Sequence, residues 1–294
     1  MFSLGTASNP TVAIASFAER PDLRADDAFL REALEAVGVH PVPVVWDDES
    51  VVWSEFDACL IRSVSDYHLK QEAFLDWLKR LPDAIQVWNE PDLVAWNTDK
   101  SYLHQLNSHG VPIIPTCWLD RGSRVELAAL LEERGWNDAV LKPTVGLAAQ
   151  RLLRTDGSRD EDQVALDDLL ADYGVMVQPF LSSVVERGET SLIFIAGELT
   201  HSVRKRAGDG DFRVQGCWGG TSALCQPTAA ELEVADRTMA FLGAAPIFAR
   251  IDLVGGPTSP CLIELELIEP DLFFREMPSA AGRLANAIAT TLRR

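Results

Sequence analysis

Two hydrophobic periods alternate along the first third of the chain. Short apolar runs at 11–17 (TVAIASF), 42–46 (VPVVW), 58–63 (ACLIRS) and 85–89 (IQVWN) read as buried strands. Between them the apolar positions fall three and four apart. FLREALEAVGV places Phe29, Leu30, Ala33, Leu34 and Val37 on one side and is followed closely by Gly38, which predicts an amphipathic helix closed by a glycine. FLDWLKRL (74–81) predicts another helix. Strand and helix in alternation predict a parallel, doubly wound α/β domain over residues 1–92. The spacing then predicts one helix across 93–112, ending at Gly110.

From there the pattern changes. AVLKPTVG (139–146) is a strand broken by Lys142-Pro143, 160–172 is an acidic amphipathic helix, and VMVQPFL (175–181) is a strand entering an exposed segment. Residues 186–206 predict a hairpin turning at Ala196-Gly197. Helices are expected at 228–243 and 278–294. Residues 249–270 predict a second hairpin: ARIDLV, the turn-forming GGPTSP, then CLIELELIEP. Its apolar strands are interrupted by Asp252, Glu264 and Glu266. Glu264 and Glu266 are two apart and share a strand face, and an antiparallel return can bring Asp252 to the same face. Three buried carboxylates repel one another, and a hard cation such as Mg²⁺ removes that cost. The plainer alternative turns Glu264 or Glu266 to solvent or pairs one with Arg250.

Composition narrows the class. The chain has 294 residues, 47% hydrophobic and 24% charged, with a formal net charge of −18. That balance argues against a nucleic-acid partner and against docking on anionic lipid. No apolar run reaches membrane length, and the N-terminal stretch has no basic leader region. Five cysteines, Cys59, Cys117, Cys217, Cys225 and Cys261, are widely spaced and lack a C-x-x-C pair, as expected of reduced thiols in a cytoplasmic protein.

Against this acidity the cations stand out. Arg204-Lys205-Arg206 is the densest basic run, Arg213 follows in GDGDFR, and the glycine-rich GCWGGTS (216–222) lies nearby. Together they predict a polyphosphate or carboxylate grip; the alternative is a surface strand balancing neighbouring acids. Lys142 ends a strand before a loop, where an ammonium can meet phosphate oxygens. RSVSDY follows the third strand, so Arg62, Asp66 and Tyr67 face a crevice or Asp66 caps the next turn. No P-loop and no G-x-G-x-x-G after the first strand is present, which weighs against a P-loop or a Rossmann dinucleotide site.

These spaced motifs resemble the ATP-grasp superfamily, in particular the glutathione-synthetase-like and RimK-like ligases, over roughly 85–275. The resemblance implies an α/β protein, α+β in part, with an N-terminal doubly wound parallel-sheet domain (1–92), a linker helix and small lid (93–177) and a C-terminal antiparallel-sheet domain with the metal site (178–294). It implies that Lys100, in NTDKSYL, and Lys142, in LKPTVG, hold ATP phosphates. Gln178, Pro179, Phe180 and Leu181 contact adenine after Val177, and Glu189 meets the ribose. Arg213, with Lys205 or Arg206 beside it, faces the phosphates. Asp252, Glu264 and Glu266 bind two Mg²⁺ ions, for which Mn²⁺ substitutes. Three departures stand out: Glu266 replaces the family's asparagine, Gln215 replaces another asparagine, and the loop after Lys142 has a single glycine. The run R-S-x-x-D-Y, W-N-x-D-K, G-D-F-R and E-L-E…P is similar to the cyclo-ligases that act on O-ureido-serine in cycloserine biosynthesis. The implied activity is ATP-dependent activation of a small-molecule carboxylate as an acyl phosphate for attack by nitrogen, in a homo-oligomer. A nucleotide-binding regulatory homologue is the alternative from another class.

Overall fold

The computed structural model describes residues 9–293. The reading of the N-terminus as lacking a leader rests largely on residues 1–8, which lie outside the described residues.

The first lobe follows the predicted alternation: β1 (Thr11–Ser16), α1 (Asp27–Ala36), β2 (His40–Val45), β3 (Ala58–Ile61), α2 (Gln71–Arg80) and β4 (Gln86–Trp88). The strands are parallel in the order β2-β1-β3-β4. The central strands β1 and β3 are apolar on both faces because helices cover both. Leu30 and Leu34 of α1 are fully buried, a contribution of roughly 1.5–3 kcal/mol each.

The single helix expected over 93–112 is instead two: α3 (Pro91–Asn97) and α4 (Tyr102–Ser108). Asp99 causes the break. Its carboxylate accepts from the Ser101 N–H at 2.8 Å and from the Thr144 hydroxyl at 3.0 Å, and the Lys100 N–H donates to Thr144 O at 2.8 Å rather than up its own helix. Lys100 is therefore in a turn, fixed beside the next sheet.

That sheet has four antiparallel strands, β5 (Cys117–Leu119), β6 (Ala139–Pro143), β7 (Leu153–Thr155) and β8 (Val175–Pro179), in the order β5-β8-β6-β7. Helices α5 (Leu127–Arg134) and α6 (Asp160–Asp172) share its core through Leu127, Leu131, Leu166 and Leu170. After the short α7 (Ser183–Glu186) come β9 (Glu189–Ile195), β10 (Glu198–Arg206), β11 (Thr221–Leu224), β12 (Phe248–Gly256) and β13 (Ser259–Glu266). They form an antiparallel sheet in the order β11-β10-β9-β12-β13. One face packs against α8 (Ala229–Leu242), whose start is fixed by a capping box between Thr228 and Glu231. The other carries Ile193, Val203 and Phe248 into a core shared with β1, α1 and the last helix, α9 (Pro278–Leu292). Among the described residues no helix is long and apolar enough to cross a membrane.

Candidate active site

The β12–β13 hairpin forms as expected, and its register sets the chemistry. Asp252 pairs with Glu264 and Arg250 with Glu266. Pairing then jumps to Leu253 with Leu262, so Ile263 is the extra residue of a β-bulge. One oxygen each from Asp252, Glu264 and Glu266 lies within 4.8 Å of the others. The donor set is all carboxylate, which suits Mg²⁺ or Mn²⁺ rather than a softer metal. Glu266, which departs from the family's asparagine, pairs with Arg250 across the hairpin, yet burial, with Glu264 and Asp252 close by, raises its pKa to about 7.

Arg250 and Lys205 govern the electrostatics of Asp252. The Lys205 Nζ lies 3.0 Å from Asp252 Oδ2 and also pairs with Glu189, its register partner across the β9–β10 hairpin. Burial opposes the charge on Asp252, but Arg250 and Lys205 outweigh it and hold its pKa below the usual carboxylate range. For Glu189 burial dominates, and its pKa rises to about 7 in spite of Lys205.

Strand β13 lies at the sheet edge, and residues from α3 and α4 satisfy its free backbone groups. Asn97 Nδ2 donates to Leu265 O at 2.9 Å and Asn97 Oδ1 accepts from Leu267 N at 2.9 Å. Tyr102 Oη donates to Leu265 O at 2.8 Å and accepts from its N–H at 2.9 Å. The turn between α3 and α4 is thereby pinned over the hairpin, and Lys100 Nζ sits 3.1 Å from Glu264 Oε1 and 2.6 Å from Gly146 O. Lys142, on β6, feels the charges of Glu264, Lys100 and Glu189. Part of its side chain remains open along a cavity wall, but burial lowers its pKa to about 8.

That cavity is lined by Lys142, Glu189, Arg213 and the segment Gln178–Leu181, so seven of the expected residues meet there. Gln178 is buried and donates to Thr116 Oγ1 at 2.8 Å. Apolar walls come from Ile114, Val140, Leu152, Val254 and Ile263. Sequence reading missed these; the bulge that swings Ile263 in beside Glu264 had no signal of its own. Arg213 pairs with Asp211 (2.7 Å) and its guanidinium lies 3.4 Å from the centre of the Trp218 ring.

Other expected positions separate. Strand alternation splits the basic run: Lys205 points to the acids, whereas Arg206 is exposed and lines a different cavity with Arg187 and Arg204. Arg187 and Arg204 approach Glu231, at 2.9 and 3.7 Å. Arg206 is thus not beside Arg213, because neighbours on a strand face opposite ways. Arg62 does not face a crevice. It is 1% exposed, pairs with Asp27 at 2.8 Å, donates to Pro270 O at 2.9 Å and lies over the Phe248 ring. Asp66 pairs with Lys70 (2.9 Å) and accepts from the Trp46 indole N–H (2.8 Å). Tyr67 is buried, and burial, then the charges of Glu264 and Glu266, push its phenol upward.

A parallel-sheet lobe, a small antiparallel sheet and a larger antiparallel sheet bearing three carboxylates near two lysines define an ATP-grasp ligase. Residues 113–273 match the ATP-grasp domain of prokaryotic glutathione synthetase, and residues 12–89 match the N-terminal domain of the D-cycloserine synthetase DcsG. The chain belongs to the ATP-grasp ligases. It is an enzyme that uses ATP with Mg²⁺ or Mn²⁺ to join a carboxylate to an amine. Cycloserine biosynthesis protein DcsG of Streptomyces lavendulae is 33% identical over 285 residues, covering 90% of this chain and 93% of the relative. Glutathione synthetase of Prochlorococcus marinus is 30% identical, covering 76% and 73%. The crystal structure of DcsG aligns with a TM-score of 0.86 at 30% identity over 96% of this chain and 99% of its own. A D-alanine–D-alanine ligase from Bacillus anthracis shares the fold alone, with a TM-score of 0.67 at 15% identity over 98% of both chains.

Proposed function

We propose that the chain closes a ring on an O-ureido-serine-type amino acid by activating its carboxylate as an acyl phosphate. The supporting observation is the extent of the likeness to DcsG, which includes the N-terminal lobe, where residues 12–89 match the N-terminal domain of D-cycloserine synthetase DcsG. Lys100 and Lys142 hold the phosphate oxygens of ATP. Gln178, Pro179, Phe180 and Leu181 hold the adenine, and Glu189 lies toward the ribose. Asp252, Glu264 and Glu266 hold two metal ions, and Arg250 offsets the added charge of Glu266. When bound, the metal neutralises charge on the transferred phosphoryl group. Lys205 fixes Asp252 in its ionised form. Arg213 reaches the γ-phosphate and the substrate carboxylate, and Tyr67 borders the substrate on the side of the N-terminal lobe.

The carboxylate oxygen takes the γ-phosphoryl group and ADP departs. The ureido nitrogen then attacks the acyl carbon, the C–O bond breaks, phosphate leaves, and the nitrogen gives up a proton. No protein nucleophile is required, because positioning and fixed charge supply the catalysis. We take residues 1–92, 93–177 and 178–294 as the three working units.

Phosphate release should be followed with ATP, Mg²⁺ and a panel of amino acids, dipeptides and both enantiomers of O-ureido-serine. Release confined to the ureido compounds, with a cyclic product lacking one water by mass, supports the reading. Release with a two-substrate pair and no cyclic product overturns it in favour of intermolecular ligation.

A further inference from the structure

The turn after β3 carries a histidine that the reaction above leaves unused. His68 is 7% exposed, and its Nε2 lies 3.2 Å from Oε1 of Gln150, in the loop joining β6 to β7. Burial, with Lys100 close by, lowers the His68 pKa, so the ring is a neutral donor at pH 7. The loop itself is strained. Ala148, Ala149 and Arg151 hold φ of +53°, +57° and +55°, a region that residues with a Cβ avoid. Backbone of this kind persists only where surrounding contacts impose it.

Those contacts come from three directions. His68 holds Gln150 from the N-terminal lobe. Trp218, beneath Arg213, donates its indole N–H to Ala148 O at 2.9 Å. Lys100 Nζ donates to Gly146 O at 2.6 Å. The loop is therefore tied at once to a phosphate lysine, to the arginine loop and to the lobe that carries Tyr67. Tyr67 and His68 are neighbours on one turn: the Tyr67 phenol feels the charges of Glu264 and Glu266, and His68 meets the loop.

We propose that His68 is a positioning residue: by holding Gln150 it latches the 144–152 loop over the phosphate cations only when the N-terminal lobe is seated. The catalytic consequence rests on the ligase chemistry proposed above. An open loop admits water to the acyl phosphate, which then hydrolyses to ADP, phosphate and unchanged substrate.

Arg151 is exposed in that loop and reports on its opening through tryptic cleavage. In the ligand-free protein, H68A and Q150A should each raise the rate of cleavage after Arg151 by about tenfold, the worth of one hydrogen bond. H68Q, which keeps an N–H donor, should restore most of the protection, and the H68A/Q150A double variant should exceed neither single variant. In turnover, both single variants should form more than one ADP per product, while the native chain forms one. Q150A alters only the loop side of the contact, so it keeps the test valid if H68A fails to fold. Unchanged cleavage in Q150A, or additive effects in the double variant, would overturn the latch. A native chain that forms no ADP with any substrate would instead overturn the reading of the reaction, and the cleavage result would still stand.

Discussion

At the scale of single residues the site is a balance of buried and half-buried charges, and two of the half-buried ones make measurable predictions. Burial lowers the pKa of Lys142 to about 8 in the free protein, from an ordinary value of 10.5. Because the folded value is depressed, the unfolded chain binds more protons between those two values, so the cost of burying Lys142 fades as pH rises from about 8 to 10.5. In the phosphate-holding role proposed for Lys142 the dependence is opposite, since that role needs the ammonium. ADP affinity should fall above pH 8, by up to about tenfold per pH unit, with proton uptake on binding. Calorimetry at pH 8.5 in two buffers of different ionisation heat would detect that uptake. K142R should lose the pH dependence, because a guanidinium stays charged. A native chain with pH-independent ADP affinity between 7.5 and 9.5 would remove Lys142 from the phosphate site. Glu264 makes the second prediction. It is part of the acid trio and also meets Lys100. E264Q keeps the side-chain volume and should lower kcat by roughly a hundredfold to a thousandfold with a nearly unchanged melting temperature. Full turnover in that variant would dismiss the metal assignment.

At the scale of elements, the function depends on which way strands and turns aim their residues. Gly188 precedes β9 at φ +91°, and a Cβ there would meet Lys205 O at 2.2 Å. G188A should push β10 away, displace Lys205 from Asp252, and cost about 2–3 kcal/mol, or roughly 5–10 °C in melting temperature. Thermal unfolding together with steady-state rates would test this; a variant with native stability would mean that the β9–β10 hairpin yields easily. The same scale explains what the sequence revealed. Asp252, Glu264 and Glu266 were legible because each interrupts an apolar run whose period already fixed its face. The parallel lobe was legible because its strands are short, apolar and separated by helices with clean 3.6-residue spacing. The break at Asp99 was not, since apolar periodicity continues through it and the competing partner, Thr144, lies on another sheet. The basic run Arg204-Lys205-Arg206 was read as one cluster, although the two-residue period of its own predicted strand already required it to divide.

At the scale of the whole molecule, the lobes are joined by buried polar ties that no local pattern reveals. Arg62 is the clearest. Its nearest acid, Asp27, precedes it by 35 residues, and Pro270, whose carbonyl it also meets, follows by 208. The pair fastens α1, the end of β3 and the segment leaving the β12–β13 hairpin into one unit. A buried ion pair contributes little net stability over an apolar replacement of the same shape, but losing one partner strands the other charge away from water. R62M should therefore destabilise the fold by about 3–5 kcal/mol. The double variant R62M/D27L, which removes both charges, should recover a large part of that loss even though it departs further from the native sequence. Denaturant unfolding of the single and double variants gives the comparison directly. If Arg62 instead held the substrate carboxylate, R62M would raise KM at native stability, and D27L would rescue nothing.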